Sequence, residues 1–173
     1  MNWTEYQTAA QRTADTTQAD EIRRELCALG LIGETGEVAE LLKHALSHDE
    51  PVDRHRLMLE LGDVCWYAVE ALSISGAARS KVGVDTRNDG IIGLAFFASQ
   101  LATALTECQD RRADSASRYD FDDLLSYVLL CVNRVSQRHG ITFTDVLQGN
   151  IDKLRKRHPD GFSVEASRNR GTT

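Results

Sequence analysis

The sequence predicts an all-α protein, a helical bundle of about six helices with a four-helix core. Three observations carry that expectation. Apolar residues recur at spacings of three and four along most of the chain. No stretch of useful length alternates apolar and polar residues as a half-buried strand would. The two prolines, Pro51 and Pro159, both stand outside the helical patterns.

The first helix is expected over Trp3 to Ala14, with Trp3, Tyr6, Ala10 and Thr13 on one face. The second runs from about Glu21 to Leu46, with Leu26, Leu29, Val38, Leu41, Leu42 and Ala45 as its apolar positions. Asp49-Glu50-Pro51 breaks it, and Pro51 suits the first turn of the next helix. That third helix carries Leu57, Leu59, Leu61, Val64, Tyr67, Ala68, Ala71 and Leu72. Gly76 to Gly90 is polar and aperiodic, a loop. Two more helices, Ile91 to Asp110 and Phe121 to Arg138, flank a charged stretch from Asp110 to Ser117. Gly140 is placed to end the fifth helix. Thr142-Phe143-Thr144-Asp145 starts a sixth, which ends near Arg157. Residues 1–163 then form a single helical domain, and 164–173 a polar tail.

With 173 residues and 42% hydrophobic content, the chain can bury one sizeable core. Its net charge of −6 argues against a nonspecific grip on nucleic acid. The longest uncharged stretch, Gly90 to Thr106, contains Ser99, Gln100 and Thr103 and falls short of the roughly 20 apolar residues of a membrane span. Met1-Asn2-Trp3-Thr4-Glu5 lacks the basic-then-apolar pattern of a secretory signal, so a cytoplasmic protein is expected. Cys27, Cys65, Cys108 and Cys131 are widely separated among apolar neighbours, which reads as buried free thiols in a reducing compartment.

The stretch from Gly30 to Glu40 carries the chemistry. Gly30, Gly33 and Gly36 recur every third residue inside a helical pattern. Each costs about 1 kcal/mol against alanine, so a close neighbour along that face is expected to offset them. Glu34, Glu37 and Glu40 share another face of the same helix. On the third helix Glu60 and Asp63 stand three apart among apolar residues and beside Gly62. If the two helices are antiparallel neighbours, Glu34, Glu37, Glu60 and Asp63 converge, and their mutual repulsion calls for cations. Oxygen-only ligation selects Mg²⁺, or Mn²⁺, over zinc. Glu40 can equally be a solvated residue beside Lys43. A lone acidic pair on a helix is usually a solvated face; two such pairs, each beside a helix-interior glycine, favour a metal site.

With those residues the chain resembles the MazG-like all-α nucleoside triphosphate pyrophosphohydrolases, a superfamily that includes dimeric dUTPases and dCTP pyrophosphatases. The likeness rests on the paired glutamates Glu34 and Glu37 followed by Glu60-x-x-Asp63. It is extended by Glu5-Tyr6-Gln7 with Arg12-Thr13-Ala14, and by Asn150 to Phe162. It spans roughly the first 75 residues and about Gly140 to Ser163. The resemblance implies that Glu34, Glu37, Glu60 and Asp63 are the catalytic metal ligands, holding Mg²⁺ against a nucleoside triphosphate. The implied reaction is NTP or dNTP plus water giving the monophosphate and pyrophosphate, a nucleotide-pool house-cleaning activity. It implies that Tyr67 contacts the nucleotide, and it implies a homodimer or higher homo-oligomer. Lys153 and Arg157, four apart, can clamp phosphate oxygens or simply complement a helix C-terminus. Asn150 can bond substrate or be a surface residue. Trp66 points elsewhere and reads as core.

Two positions depart from the family pattern. Gly33 stands where many members carry a glutamate, and His158 where a tyrosine is usual. The pair of helices within 90–139 is extra relative to short members and reads either as generic or as a degenerate copy of the first pair. Gly93 and Leu94 echo Gly30 and Leu31, and Asp120, Asp123 and Tyr127 echo Glu60, Asp63 and Tyr67. Phe97 and Gln100 then replace Glu34 and Glu37; Phe96 and Phe97 would line a base pocket. His44 and His48, with His55 nearby, read as a solvated surface more than a metal pair. The competing function is a non-catalytic nucleotide- or nucleic-acid-binding regulatory protein, with Lys153 to His158, Arg168 and Arg170 as its basic cluster.

Overall fold

Local signals decide where each helix starts and stops. The computed structural model describes residues 1–75, 90–107 and 121–163. The expected loop after Gly76 except Gly90, the charged stretch 110–117, Cys108, Asp120 and the tail 164–173 lie outside the described residues. Helix α1 is Trp3–Gln11, opened by a capping box in which Asn2 and Glu5 each accept the other's backbone N–H. It stops three residues short of the expected end. There the Thr13 hydroxyl donates to the Ala10 carbonyl at 2.7 Å and the backbone tightens into a turn.

Helix α2 is Asp20–His48, closed by Asp49 in the left-handed region with its N–H on the Ala45 carbonyl. Helix α3 is Arg54–Ser75. Pro51 lies ahead of it in the connection rather than in its first turn. Asp53 starts it, its carboxylate accepting from the Arg56 N–H at 3.0 Å. Helices α4 (Ile91–Glu107) and α5 (Phe121–Arg138) follow, and Gly140 at φ +68° turns the chain out of α5. Thr142 and Asp145 form a second capping box at the head of α6, Phe143–Arg157.

Helices α2, α3, α5 and α4 close a ring of four, each packing on two neighbours, and their inward faces make the core. Leu57, Leu61, Leu94, Leu101, Leu124, Leu125 and Val128 are wholly buried in it. Helix α6 lies across α3, packs only lightly on α5, and is covered by α1. None of the described helices is long and apolar enough to cross a membrane. Cys27, Cys65 and Cys131 are buried and form no disulfide.

The core face of α2 differs from the expected one in its first half. Cys27, Leu31, Thr35, Val38 and Ala45 point inward, whereas Leu26 and Leu29 are 51% and 69% exposed. Apolar residues at 26, 27, 29, 31 and 32 fit two overlapping stripes, and only the position of α3 and α4 selects between them.

The glycines divide the same way. A methyl group at Gly30 would meet the Tyr67 ring at 2.1 Å, and one at Gly62 would meet the Asn150 Cβ at 2.6 Å. Gly33 and Gly36 face open space, so no close neighbour offsets them. Gly62→Ala should therefore push α6 off α3 and destabilise the fold by about 1–3 kcal/mol. Gly33→Ala should stabilise it by about 0.5–1 kcal/mol through helix propensity alone. Urea unfolding of the two variants, with opposite signs expected, checks both.

Candidate active site

Glu34 lies midway along α2 and Glu60 and Asp63 lie one turn apart near the start of α3, where the two helices pack together. One carboxylate oxygen from each comes within 4.8 Å of the other two, and all three residues are half-buried. Among the described residues this is the sole group of three metal-ligating side chains. Burial raises the Glu34 carboxyl to about 7, and the Asp63 and Glu60 charges push the same way against an opposing effect of Lys153. Three oxygen donors that repel one another in a half-buried site suit a divalent cation, and histidine and cysteine are absent from the set.

Asp63 is fixed from behind. Its carboxylate accepts from the Asn150 amide at 2.8 Å and is paired with the Lys153 ammonium. The Asn150 carbonyl oxygen accepts from the Tyr6 hydroxyl at 2.8 Å, and Asn150 and Tyr6 are both fully buried. Burial pushes the Tyr6 phenol well above its ordinary value, so it stays a donor. Asn150, expected at the substrate, is instead sealed in this relay between α1, α6 and α3.

The other expected residues fall at different distances from the centre. Glu37 lies outside the group of three and is exposed, 3.6 Å from the Arg56 guanidinium, which also meets Glu60 at 3.4 Å. Glu40 is solvated and paired with Lys43 at 2.5 Å. A small cleft beside the carboxylates is lined by Thr13, Glu34, Asp63, Trp66, Tyr67 and Arg157. Tyr67 and Arg157 thus sit at the site as expected, and Lys153 touches it through Asp63. His44 and His48 are exposed with their rings 4.5 Å apart, and His55 is exposed too, so these three form a solvated surface.

A wider cleft of about 280 Å³ shares Thr13, Trp66 and Tyr67 with the first and is lined also by Arg23, Glu70 and Phe162. Trp66 packs against the core but is only half-buried, its indole N–H donating to the Thr13 hydroxyl at 2.9 Å and its ring edge-on to Tyr67. Glu70 is 6% exposed and receives two bonds from Arg23, at 3.0 and 2.7 Å. A signal for it was present: Glu60, Asp63, Tyr67 and Glu70 follow at spacings of three, four and three on one helix face. Arg23 and Arg56 each pair with an acid on their own helix, Asp20 and Glu60, but their bonds to Glu70 and Glu37 cross to the other helix and left no signal in the spacing.

The second helix pair holds no equivalent centre among the described residues. Phe97 is buried and stacks on Tyr127 with ring centroids 4.6 Å apart, and Asp123 is exposed. Neither Phe96 nor Phe97 lines the two clefts.

The family described as MazG nucleotide pyrophosphohydrolase domain has a model that matches residues 118–162. That stretch includes Asn150, Lys153 and Arg157 and stops short of the acidic residues on α2 and α3. No curated protein and no solved structure matches the chain. The match and the all-α bundle together are consistent with a MazG-like superfamily member, and they support a hydrolase that acts on nucleotides.

Proposed function

We propose that the chain is a Mg²⁺-dependent nucleoside triphosphate pyrophosphohydrolase, converting an NTP or dNTP and water to the monophosphate and pyrophosphate. The observation that carries this reading is the convergence of Glu34, Glu60 and Asp63 beside a cleft that Arg157 lines. Glu34, Glu60 and Asp63 would hold the cation, with Glu37 joining once it leaves Arg56. When bound, Mg²⁺ or Mn²⁺ neutralises phosphate charge and acidifies a coordinated water. Lys153 and Arg157 supply donors to phosphate oxygens, and Tyr67 forms the wall the nucleotide lies against. Asn150, held by Tyr6, keeps the Asp63 carboxylate aimed at the centre and touches no substrate itself.

The proposal extends to organisation. The α4–α5 pair is a degenerate copy of α2–α3 that completes the four-helix ring but not a second centre, with Phe97 and Tyr127 packed where Glu34 and Tyr67 stand in the first. Ile22, Leu29 and Ile32 leave an exposed apolar face on α2 for a second copy of the chain, giving a homodimer or higher homo-oligomer. Buried cysteines outside any disulfide fit a cytoplasmic setting.

Pyrophosphate release from a panel of NTPs and dNTPs, with Mg²⁺ and with EDTA, tests the activity. Turnover should require the metal and fall at least about 100-fold in Asp63→Asn and Glu60→Gln. Folded, metal-loaded protein that turns over no nucleotide would leave a binding role built on the same cluster.

The carboxylates also set a pH dependence. The Glu34 carboxyl titrates near 7 when folded and in the ordinary carboxylate range when unfolded. The folded state therefore binds the proton more tightly. Stability is full below the ordinary carboxylate range and is lost as pH rises through about 7. In EDTA, Tm should fall between about pH 5 and about pH 8. Glu34→Gln should remove that fall, and Mg²⁺ should reverse it in the parent protein. Thermal melts across this range check the sign.

A further inference from the structure

One buried polar side chain in the cleft beside the carboxylates takes no part in the reaction described above. His158 is 5% exposed and lines that cleft together with Glu34, Asp63 and Arg157. It stands four residues after Leu154 and eight after Asn150, both buried, so it continues the face of α6 that packs on α3.

A whole turn of chain holds this ring in place. The His158 N–H closes α6 on the Leu154 carbonyl at 2.7 Å, and the His158 carbonyl accepts from the Gly161 N–H at 3.2 Å. Gly161 has φ +101°, and a methyl group on it would lie 3.3 Å from the Arg12 carbonyl, so glycine alone suits the turn. Phe162 donates its N–H to that same carbonyl at 3.1 Å and stacks on the imidazole with ring centroids 6.0 Å apart. The Arg12 guanidinium meets the Pro159 carbonyl at 3.4 Å. The end of α1 therefore fixes the turn, and the turn fixes the imidazole. Nδ1 is fully enclosed, which leaves Nε2 as the nitrogen that a molecule in the cleft can reach.

The polar groups of the cleft wall give that nitrogen a use. The Trp66 indole N–H donates to the Thr13 hydroxyl, and the hydroxyl donates to the Ala10 carbonyl, so both protons are committed within the protein. Glu34 and Asp63 bring acceptors. Phosphates lying against the carboxylate cluster present acceptor oxygens to this wall and need donors there. Beside the Tyr67 hydroxyl, those donors belong to Arg157 and His158, consecutive residues at the end of α6.

We propose that His158 is a substrate-contacting residue whose Nε2–H donates to a phosphate oxygen of the triphosphate, next to Arg157. This rests on the reading of the carboxylate cluster as the triphosphate end. An imidazole that only filled space against Phe162 would make the opposite demand on a substitute.

The test uses that opposition. His158→Phe keeps a flat ring for Phe162 and removes the donor, whereas His158→Gln keeps an N–H near the Nε2 position and removes the ring. With Mg²⁺ and a triphosphate that the parent hydrolyses, kcat/KM should fall about 10- to 100-fold in H158F and less than about threefold in H158Q. Calorimetric titration with Mg²⁺ and inorganic pyrophosphate should give the same order without turnover, and thermal melts confirm that each variant is folded. If H158F does not fold, His158→Asn replaces it, since its amide falls near Nδ1 and should lose activity as H158F would. H158F that keeps the parent's kcat/KM and pyrophosphate affinity would overturn the inference and leave the pyrophosphohydrolase reading standing. So would H158Q that binds pyrophosphate no better than H158F. A parent that hydrolyses no triphosphate, yet loses pyrophosphate affinity in H158F and not in H158Q, would sink the enzymatic reading and support the phosphate contact.

Discussion

The site depends on one fully buried asparagine. Asn150 lies where α6 crosses α3, so close that Gly62 can carry no side chain, and both ends of its amide are engaged. Its carbonyl takes the Tyr6 hydroxyl from α1, and its NH2 donates to Asp63 on α3. An unpaired amide there would cost about 1–3 kcal/mol, so the relay has to be complete or absent. Completing it fixes three helices relative to one another and fixes Asp63, one of the two members of the acidic group that α3 carries. The tight α3–α6 crossing and the aim of Asp63 are therefore the same structural fact.

Around that fixed point the charges are arranged against their own interest. Glu34, Glu60 and Asp63 repel, and Glu34 is driven toward the protonated form. Lys153 stands on Asp63, and Arg56 spans Glu37 and Glu60. These two cations balance the cluster from its rim while leaving its centre free of protein. Any ion that binds must compete with them for carboxylate oxygens, and it sets Lys153 loose beside the cleft where phosphate oxygens would come.

Much of this was legible in the sequence. Spacings of three and four placed six helices, and Asn2, Asp53, Gly140 and Thr142 carry the residue types that start or stop them. The four acidic residues stood out because each lies in an apolar run beside a helix-interior glycine. Periodicity could not choose between the two apolar stripes of α2, since neighbouring helices decide which is covered. It could not tell Glu37 from Glu34 either: both point toward α3, and only the exposed Arg56 opposite draws one away. Asn150 read as a substrate-binding or surface residue because nothing local announces a partner 87 residues away. Glu70 was readable in principle, being in register with Glu60, Asp63 and Tyr67, yet its meaning required Arg23 from the other helix.

The family match falls on α5 and α6, whereas the acidic centre is built by α2 and α3, and the two observations fit together through chain order. Helix α6 follows α5 in sequence but packs mainly on α3 in space, where Asn150 and Lys153 meet Asp63. On the proposed duplication, a helix pair inserted between α3 and α6 would produce that separation: α6 would stay beside its original partner and become the sequence neighbour of the copy. The copy would keep the residues a bundle needs, such as buried Leu124, Leu125 and Val128. Released from metal binding, it would be free to put a phenylalanine where Glu34 stands. The stacking of Phe97 on Tyr127 fits that reading, since an aromatic pair stabilises a core that a buried carboxylate would weaken.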